Sequence, residues 1–467
     1  MIVKKVDFEH GGIAENILRT AFPMLIAQVL SLLYSIVDRI YIGRIPGAGT
    51  EALGAVGLCF PIIMIIGGFT NLYGMGGAPL YSMELGRGRQ EAACEIQNTS
   101  FRLLLVTAVF IIVLGELFCT PLLHVFGATP AEIPAAASYL RIYLIGTLFL
   151  MVSSGMNPFI NAQGYASVGM LSVVIGALTN LVLDPVMIFA MGMGIRGAAA
   201  ATVISQFLSF AYVMRFYFHR EGRHACSDHP VSFAWRFPRA LDIIGLGLSA
   251  FVMQGTNSLV QITCNNMLMA SGGAMFISIM TIVSSVRSIL DVPVMAVTEG
   301  ASPTISFNYG ARRAGNVRKA MKLMISLALS YTLMIWLLVL NFPGFFVRIF
   351  SSDSALMEAG ARALHLYFYA FVFQSLQYSG QSVFKALGKK RHTIFFSLLR
   401  KAFLVVPLTL LLPTVFHLGT DGVFLAEPIS NVIGGTACLV TMLCTVLPEL
   451  KKMEAEGEEN APFRMEK

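Results

Sequence analysis

The chain has 467 residues, of which 56% are hydrophobic and 13% charged, with a formal net charge of +7 and a mean hydropathy of +0.71. Water-soluble domains carry about 25% charged residues, so this composition excludes a soluble globule and points to a chain that lives in a bilayer. The basic excess sits between apolar runs, with no aromatic-interleaved basic motif, which excludes a nucleic-acid surface.

A helix crosses roughly 30 Å of hydrocarbon in about 20 residues. Runs of that length or more are predicted in chain order at 17–43, 53–83, 101–123, 138–162, 169–191, 195–218, 240–270, 274–308, 316–342, 361–387, 393–416 and 420–447. Prolines 61, 79, 293 and 303 fall within the runs and blur their limits. The first run is too long for a signal-peptide core and leads into another membrane run, so it is read as retained. The seven cysteines are scattered without a C-x-x-C spacing and are read as packing residues with free thiols.

Lys and Arg cluster after even-numbered spans: Arg87 and Arg89 after the second, Arg215, Arg220, Arg223, Arg236 and Arg239 around the connection after the sixth, Arg312, Arg313, Arg318 and Lys319 after the eighth, and Lys389, Lys390 and Arg391 after the tenth. The positive-inside rule then places both termini in the cytoplasm of a multi-pass cell-membrane protein.

Self-comparison reveals a duplication. A shift of 224 carries Asn161-Ala162-Gln163-Gly164 onto Lys385-Ala386-Leu387-Gly388, Phe126 onto Phe350, Tyr143 onto Tyr367, and Ser82 with Gly86 onto Ser306 with Gly310. Near the end the shift becomes 225, where Gly197, Thr202 and Ser205 meet Gly422, Glu427 and Ser430. The predicted fold is all-α and polytopic, with twelve transmembrane helices in two parallel six-helix bundles related by a pseudo-two-fold axis along the membrane normal. The expected divisions are an N-terminal bundle at 1–218, a cytoplasmic linker at 219–238, a C-terminal bundle at 239–450 and a charged tail at 451–467. Rocking of the bundles about the linker is a route to alternating access.

An acid inside hydrocarbon is costly, so each one is a functional candidate. Asp184 lies in Asn180-Leu181-Val182-Leu183-Asp184-Pro185, with Asn180 and Asp184 on one helix face; the following proline frees a carbonyl about one turn back. Asp38 closes Tyr34-Ser35-Ile36-Val37-Asp38, and its neighbour Arg39 leaves an interfacial ion pair open as an alternative role.

These residues, with Gly43, the segment Ala52–Leu58, Pro61, Gly197-Ala198-Ala199 and Ser306–Ala311, resemble the multidrug and toxic compound extrusion family, in particular its bacterial DinF-like and MepA-like branches. The resemblance spans nearly the whole chain. It implies a cation-binding cluster of Asp38, Asn180, Asp184 and Thr202, neighboured by Tyr139 and Asn157, that takes Na⁺ or H⁺. It also implies that Pro23 bends the first helix with site occupancy, a passive bend being the alternative. Where the NorM-like branch carries an acid in the seventh helix, this chain has Gln254 and Gln261, and its tenth span has Gln374, Gln377 and Gln381, so no second acidic cation site is expected there.

Glu299 and Glu427 remain secondary candidates, with polar packing the expected role of Glu427; Arg287 and Asp291 are spaced to pair with each other. The expected activity is export of amphipathic or cationic compounds in exchange for Na⁺ or H⁺ by a monomer among membrane lipids, without a cofactor. A flippase for lipid-linked sugars is the runner-up, disfavoured because few intramembrane arginines are visible. A receptor or intramembrane enzyme would have no use for a parallel duplication. No nucleotide-binding or zinc-hydrolase motif is present, so no enzymatic activity is expected.

Overall fold

The computed structural model describes residues 5–130, 132–218, 237–350 and 353–459. Most of the 219–238 linker and the last residues of the tail therefore lie outside the described residues. Within them the chain is helical without a strand, and eleven helices are long and apolar enough to cross a membrane.

The first half holds α1 (Ile13–Gly43), α2 (Gly49–Gly86), α3 (Gln90–Leu117), the short α4 (Cys119–Val125), α5 (Ile133–Ala162), α6 (Ala166–Pro185) and α7 (Ile195–Phe218). The second half holds α8 (Phe237–Gly272), α9 (Ala274–Gly310), α10 (Ala314–Asn341), the short α11 (Pro343–Arg348), α12 (Ser354–Phe368), α13 (Val372–Ala386), α14 (Lys390–Leu398), α15 (Val406–Thr414) and α16 (Gly419–Glu459). One expected crossing, 361–387, is not a single helix. It breaks at 369–371 between α12 and α13, where tighter turns close from Phe371 N–H to Phe368 and from Gln374 N–H to Phe371, both at 3.0 Å. The indole of Trp336 donates at 2.8 Å to the Tyr369 carbonyl, which satisfies a backbone group freed by the break.

The sequence repeat has a backbone cause. Gly164 and Gly388 both take a left-handed conformation just past α5 and α13, and the next N–H returns to the carbonyl five residues back, Tyr165 to Ile160 at 3.1 Å and Lys389 to Phe384 at 2.8 Å. After α2 and α9 the same stop recurs at 2.9 Å, Arg89 to Glu84 and Arg313 to Asn308. There the left-handed residue is Gly88 in one half and Arg312 in the other.

Small residues set the helix approaches, as expected where lipid removes the hydrophobic drive between helices. A Cβ on Gly74 of α2 would lie 2.6 Å from the Gly155 carbonyl of α5. Large apolar side chains such as Phe22, Phe110, Val182 and Phe403 are exposed on helix faces, as a lipid-facing surface requires.

By proximity the chain divides into two compact units. One comprises Met1–Val6, Pro23–Leu85 and Arg89–Gly247; the other comprises Asp7–Phe22, Gly86–Gly88 and Leu248–Lys467. The chain thus passes between units at Phe22–Pro23, within α1. The cysteine expectation needs one correction: Cys59, Cys119, Cys264, Cys438 and Cys444 are free, but Cys94 is disulfide-bonded.

Candidate functional site

In the first unit α6 runs intact to Pro185 and then loosens into a π-helical turn at Val186–Ala190, closed by Met191 N–H to the Val186 carbonyl at 2.8 Å. Proline cannot donate to the ladder, and the widened turn absorbs the missing bond. Asp184 and Asn180 stand just before this defect, 1% and 2% exposed. The Asn180 amide donates to Asp184 Oδ1 at 3.1 Å and to Thr202 Oγ1 at 3.5 Å; the Thr202 hydroxyl in turn donates to the Ala198 carbonyl at 3.0 Å.

From α1, half-buried Asp38 brings its carboxyl within side-chain hydrogen-bonding range of Asp184. Buried Tyr139, stacked on Tyr143 at 6.0 Å, lies within electrostatic reach of Asp38. Asn157, on the same cavity wall as Asn180 and Thr202, donates at 3.0 Å to both the Gly169 carbonyl and the Ser172 hydroxyl. Pro23 is buried within a continuous α1.

Neither Asp38 nor Asp184 pairs with a basic side chain among the described residues. The Arg39 guanidinium lies over the Phe60 ring, 5.7 Å from its centroid, and acts on Asp38 electrostatically without closing an ion pair. Asp38 Oδ1 and Asp184 Oδ2 are buried without a hydrogen-bond partner. Two facing carboxylates in low dielectric cannot both stay ionised cheaply; a proton shared between them or a hard cation bound by their oxygens relieves the repulsion. The donor set is all oxygen, with the Thr202 hydroxyl and, after an amide flip, the Asn180 carbonyl able to complete it.

Beside these residues a cavity of about 150 Å³ opens between α1, α5, α6 and α7. Its wall is hydroxyl- and amide-rich without a charge, including Tyr34, Ser154, Asn157, Asn180, Thr202 and Gln206. Gly176 and Ala177 on α6 line it, and a Cβ on Gly176 would clash with the Ser209 hydroxyl of α7.

The second unit holds a charge cluster that the sequence reading missed. Glu427 Oε1 accepts from Arg287 at 2.6 Å, Arg400 at 2.9 Å and Lys401 at 3.0 Å. Arg287 also reaches Asp291 at 3.3 Å, the spacing-based pairing, but its shorter bond is to Glu427, and it donates to the Tyr367 hydroxyl as well. Asp291 accepts from the Gln374 amide at 3.0 Å and the Tyr378 hydroxyl at 3.2 Å. Arg400 further donates to Asn431 Oδ1 at 2.7 Å. Glu427 is therefore a fully partnered acid at the hub of an ion network, and the intramembrane basic groups are more numerous than expected.

What places Arg400 and Lys401 together is a second π-helical segment, Leu399–Val405, between α14 and α15. Neighbours on a regular helix diverge by about 100°; the widened turn lets both face Glu427. Gly434 on α16 leaves room for the Arg400 stem, since a Cβ there would stand 3.3 Å from Arg400 Cβ. Glu299 faces Lys385 instead, and half-buried Gln254 lies on α8 with the Ser258 hydroxyl donating to its carbonyl at 3.4 Å.

The sequence profile of the MatE family matches residues 23–186 and 250–411. The chain belongs to the MatE family. It is thus a membrane transporter and not an enzyme, and the two matched segments coincide with the duplicated halves. It is 21% identical over 437 residues to the multidrug export protein MepA of Staphylococcus saprophyticus, covering 93% of this chain and 94% of that protein. An FAD transporter of Shewanella oneidensis is 25% identical over 439 residues, covering 91% and 93%. A crystal structure of a MATE protein in complex with MaD3S superposes with a TM-score of 0.89 at 22% identity, over 96% of this chain and 99% of that one.

Proposed function

We propose that the MatE-family chain exports amphipathic or cationic small molecules in exchange for Na⁺ or H⁺, by alternating access of two bundles, with the coupling ion at Asp38 and Asp184. The single observation that supports this reading most is the facing pair of carboxyls with orphaned oxygens, without an ion-paired basic side chain among the described residues and beside a cavity lined by Asn180 and Thr202. A cation that binds one arrangement of the bundles more tightly biases the equilibrium by its differential affinity, and no other energy source is needed. Two observations support the direction: the MepA relatives are named for export, and the basic loops of this chain follow even-numbered spans, which favours both termini on the cytoplasmic side.

The test is efflux from proteoliposomes under an imposed Na⁺ or pH gradient, with a cationic dye and FAD as separate cargoes. Wild type should move at least one cargo against its gradient with one of the two ions. Asp38→Asn and Asp184→Asn should each lose at least about tenfold in rate, a barrier change of ~1.4 kcal/mol, while inserting normally, because a neutral side chain is cheaper in hydrocarbon. Wild-type efflux with unchanged ion dependence in Asp184→Asn would remove the coupling role.

A further inference from the structure

The Glu427 cluster contains three cationic side chains, Arg287, Arg400 and Lys401, against two carboxylates, Glu427 and Asp291. All five are largely buried; their side chains are between 4% and 13% exposed. With every group ionised the cluster carries one uncompensated positive charge inside the membrane span, a state that costs several kcal/mol.

Bond geometry identifies where that charge can be shed. A carboxylate oxygen offers about two lone-pair sites, yet Glu427 Oε1 is approached by three donors, at 2.6, 2.9 and 3.0 Å. Arg287 and Arg400 each hold a further acceptor, Asp291 and Asn431, whereas the one hydrogen bond shown for Lys401 is the longest of the three to Glu427. Arginine keeps its charge in proteins, and a buried lysine is the group able to give it up.

We propose that Lys401 is a proton-binding site in the second unit, where the amine takes up and releases a proton while the two guanidiniums keep Glu427 and Asp291 compensated. Release leaves Arg287, Arg400, Glu427 and Asp291 balanced at zero; uptake returns the excess charge. The titratable and charged groups that act on the amine are Arg400 beside it, Glu427 on α16, Arg287 on α9 and Cys264 on α8, with Asp291 on α9 and Tyr367 on α12 one contact further away through Arg287. Among these the lysine is the one cation that can change state.

This site differs from the proposed coupling pair in chemistry and in unit, and its test reads proton occupancy rather than efflux, so either proposal can fail alone. Full-length protein labelled at lysine Cε with ¹³C is titrated from about pH 5 to about pH 10 in detergent, as wild type, Lys401→Arg and Lys401→Met. The expected result is one wild-type resonance, missing from both variants, that changes charge state across the neutral range while exposed lysines stay protonated. If one variant fails to fold, the other makes the assignment. A Lys401 resonance that keeps its protonated position up to the pH where exposed lysines titrate would overturn the proposal. So would a Lys401 that stays charged because chloride binds, read as a resonance shift when chloride replaces gluconate.

Discussion

The fifth crossing of each half, α6 in the first and α14 with α15 in the second, shows how one fold can carry two opposite electrostatic designs. Both begin at corresponding positions, since a shift of 224 carries Ala166 onto Lys390, and both contain a π-helical segment. In α6 that segment follows Asp184-Pro185, and the helix face before it carries Gly176 and Ala177, which line the cavity. The same shift carries Gly176 and Ala177 onto Arg400 and Lys401, which are buried against Glu427. Among the described residues, one unit keeps a carboxyl pair without an ion-paired cation beside a hydroxyl-lined cavity; the other supplies its own counterions. An acid that lacks a partner is available to a transported cation, and one that holds three partners is not.

Glu427→Gln should separate the two designs most sharply. It leaves three buried cations facing a neutral amide in place of their shared carboxylate, a loss of about 3–5 kcal/mol for a broken buried network. Purified protein should melt at clearly lower temperature or fail to accumulate, while Asp38→Asn and Asp184→Asn should melt at or above the wild-type temperature, because they remove a repulsion rather than a pair. A Glu427→Gln protein with wild-type stability would show that the cluster is not a closed network.

A smaller effect is expected from moving one residue of the second design into the first. The shift of 224 carries Ser154, on the cavity wall, onto Tyr378, which bonds Asp291. Ser154→Tyr would place a phenol in a space of about 150 Å³ and should weaken binding of a transported dye about tenfold, or ~1.4 kcal/mol. Ion-dependent quenching of a reporter near α6 should persist. Unchanged dye affinity would mean that cargo does not use this cavity.

The features legible in the sequence were those with a local cause. Span positions follow from apolar length, and the repeat was visible because helix stops need particular residues, as at Gly164 and Gly388. Asp184 stood out because an acid in an apolar run has few explanations. The break at 369–371 left no trace, since Tyr369-Ala370-Phe371 carries neither glycine nor proline and the turn is completed by Trp336 from a distant helix. Arg400 and Lys401 drew no reading from the sequence, because neighbours on a regular helix diverge by about 100° and would not share one buried face; the π-helical segment reconciles the pair with burial. Adjacent basic residues in mid-span were the available signal.

The smallest expected effect lies at the start of the fourth crossing, where the halves cap their helices differently. Thr129 and Asp353 are related by the shift of 224. Before α5, Glu132 Oε2 accepts from the Thr129 N–H at 3.0 Å and hydroxyl at 2.7 Å, and these bonds, the backbone one foremost, hold the Glu132 carboxyl below its ordinary range. A depressed carboxylate contributes fully above its unfolded value of about 4.3 and loses that contribution as pH falls through the lower folded value. Before α12, Asp353 Oδ1 accepts from the Ala355 and Leu356 N–H groups at 2.9 and 3.3 Å, a direct N-cap. Asp353→Ala should cost about 1 kcal/mol at this end, and α12 is separated from the rest of its crossing by the break, so the loss should stay local. Amide hydrogen exchange at neutral pH should accelerate about fivefold at Ala355 and Leu356 and leave the first turn of α5 unchanged. Equal exchange in variant and wild type would show that α12 is held by its packing, with Tyr367 and Phe368 in the core of the second unit, and not by its cap.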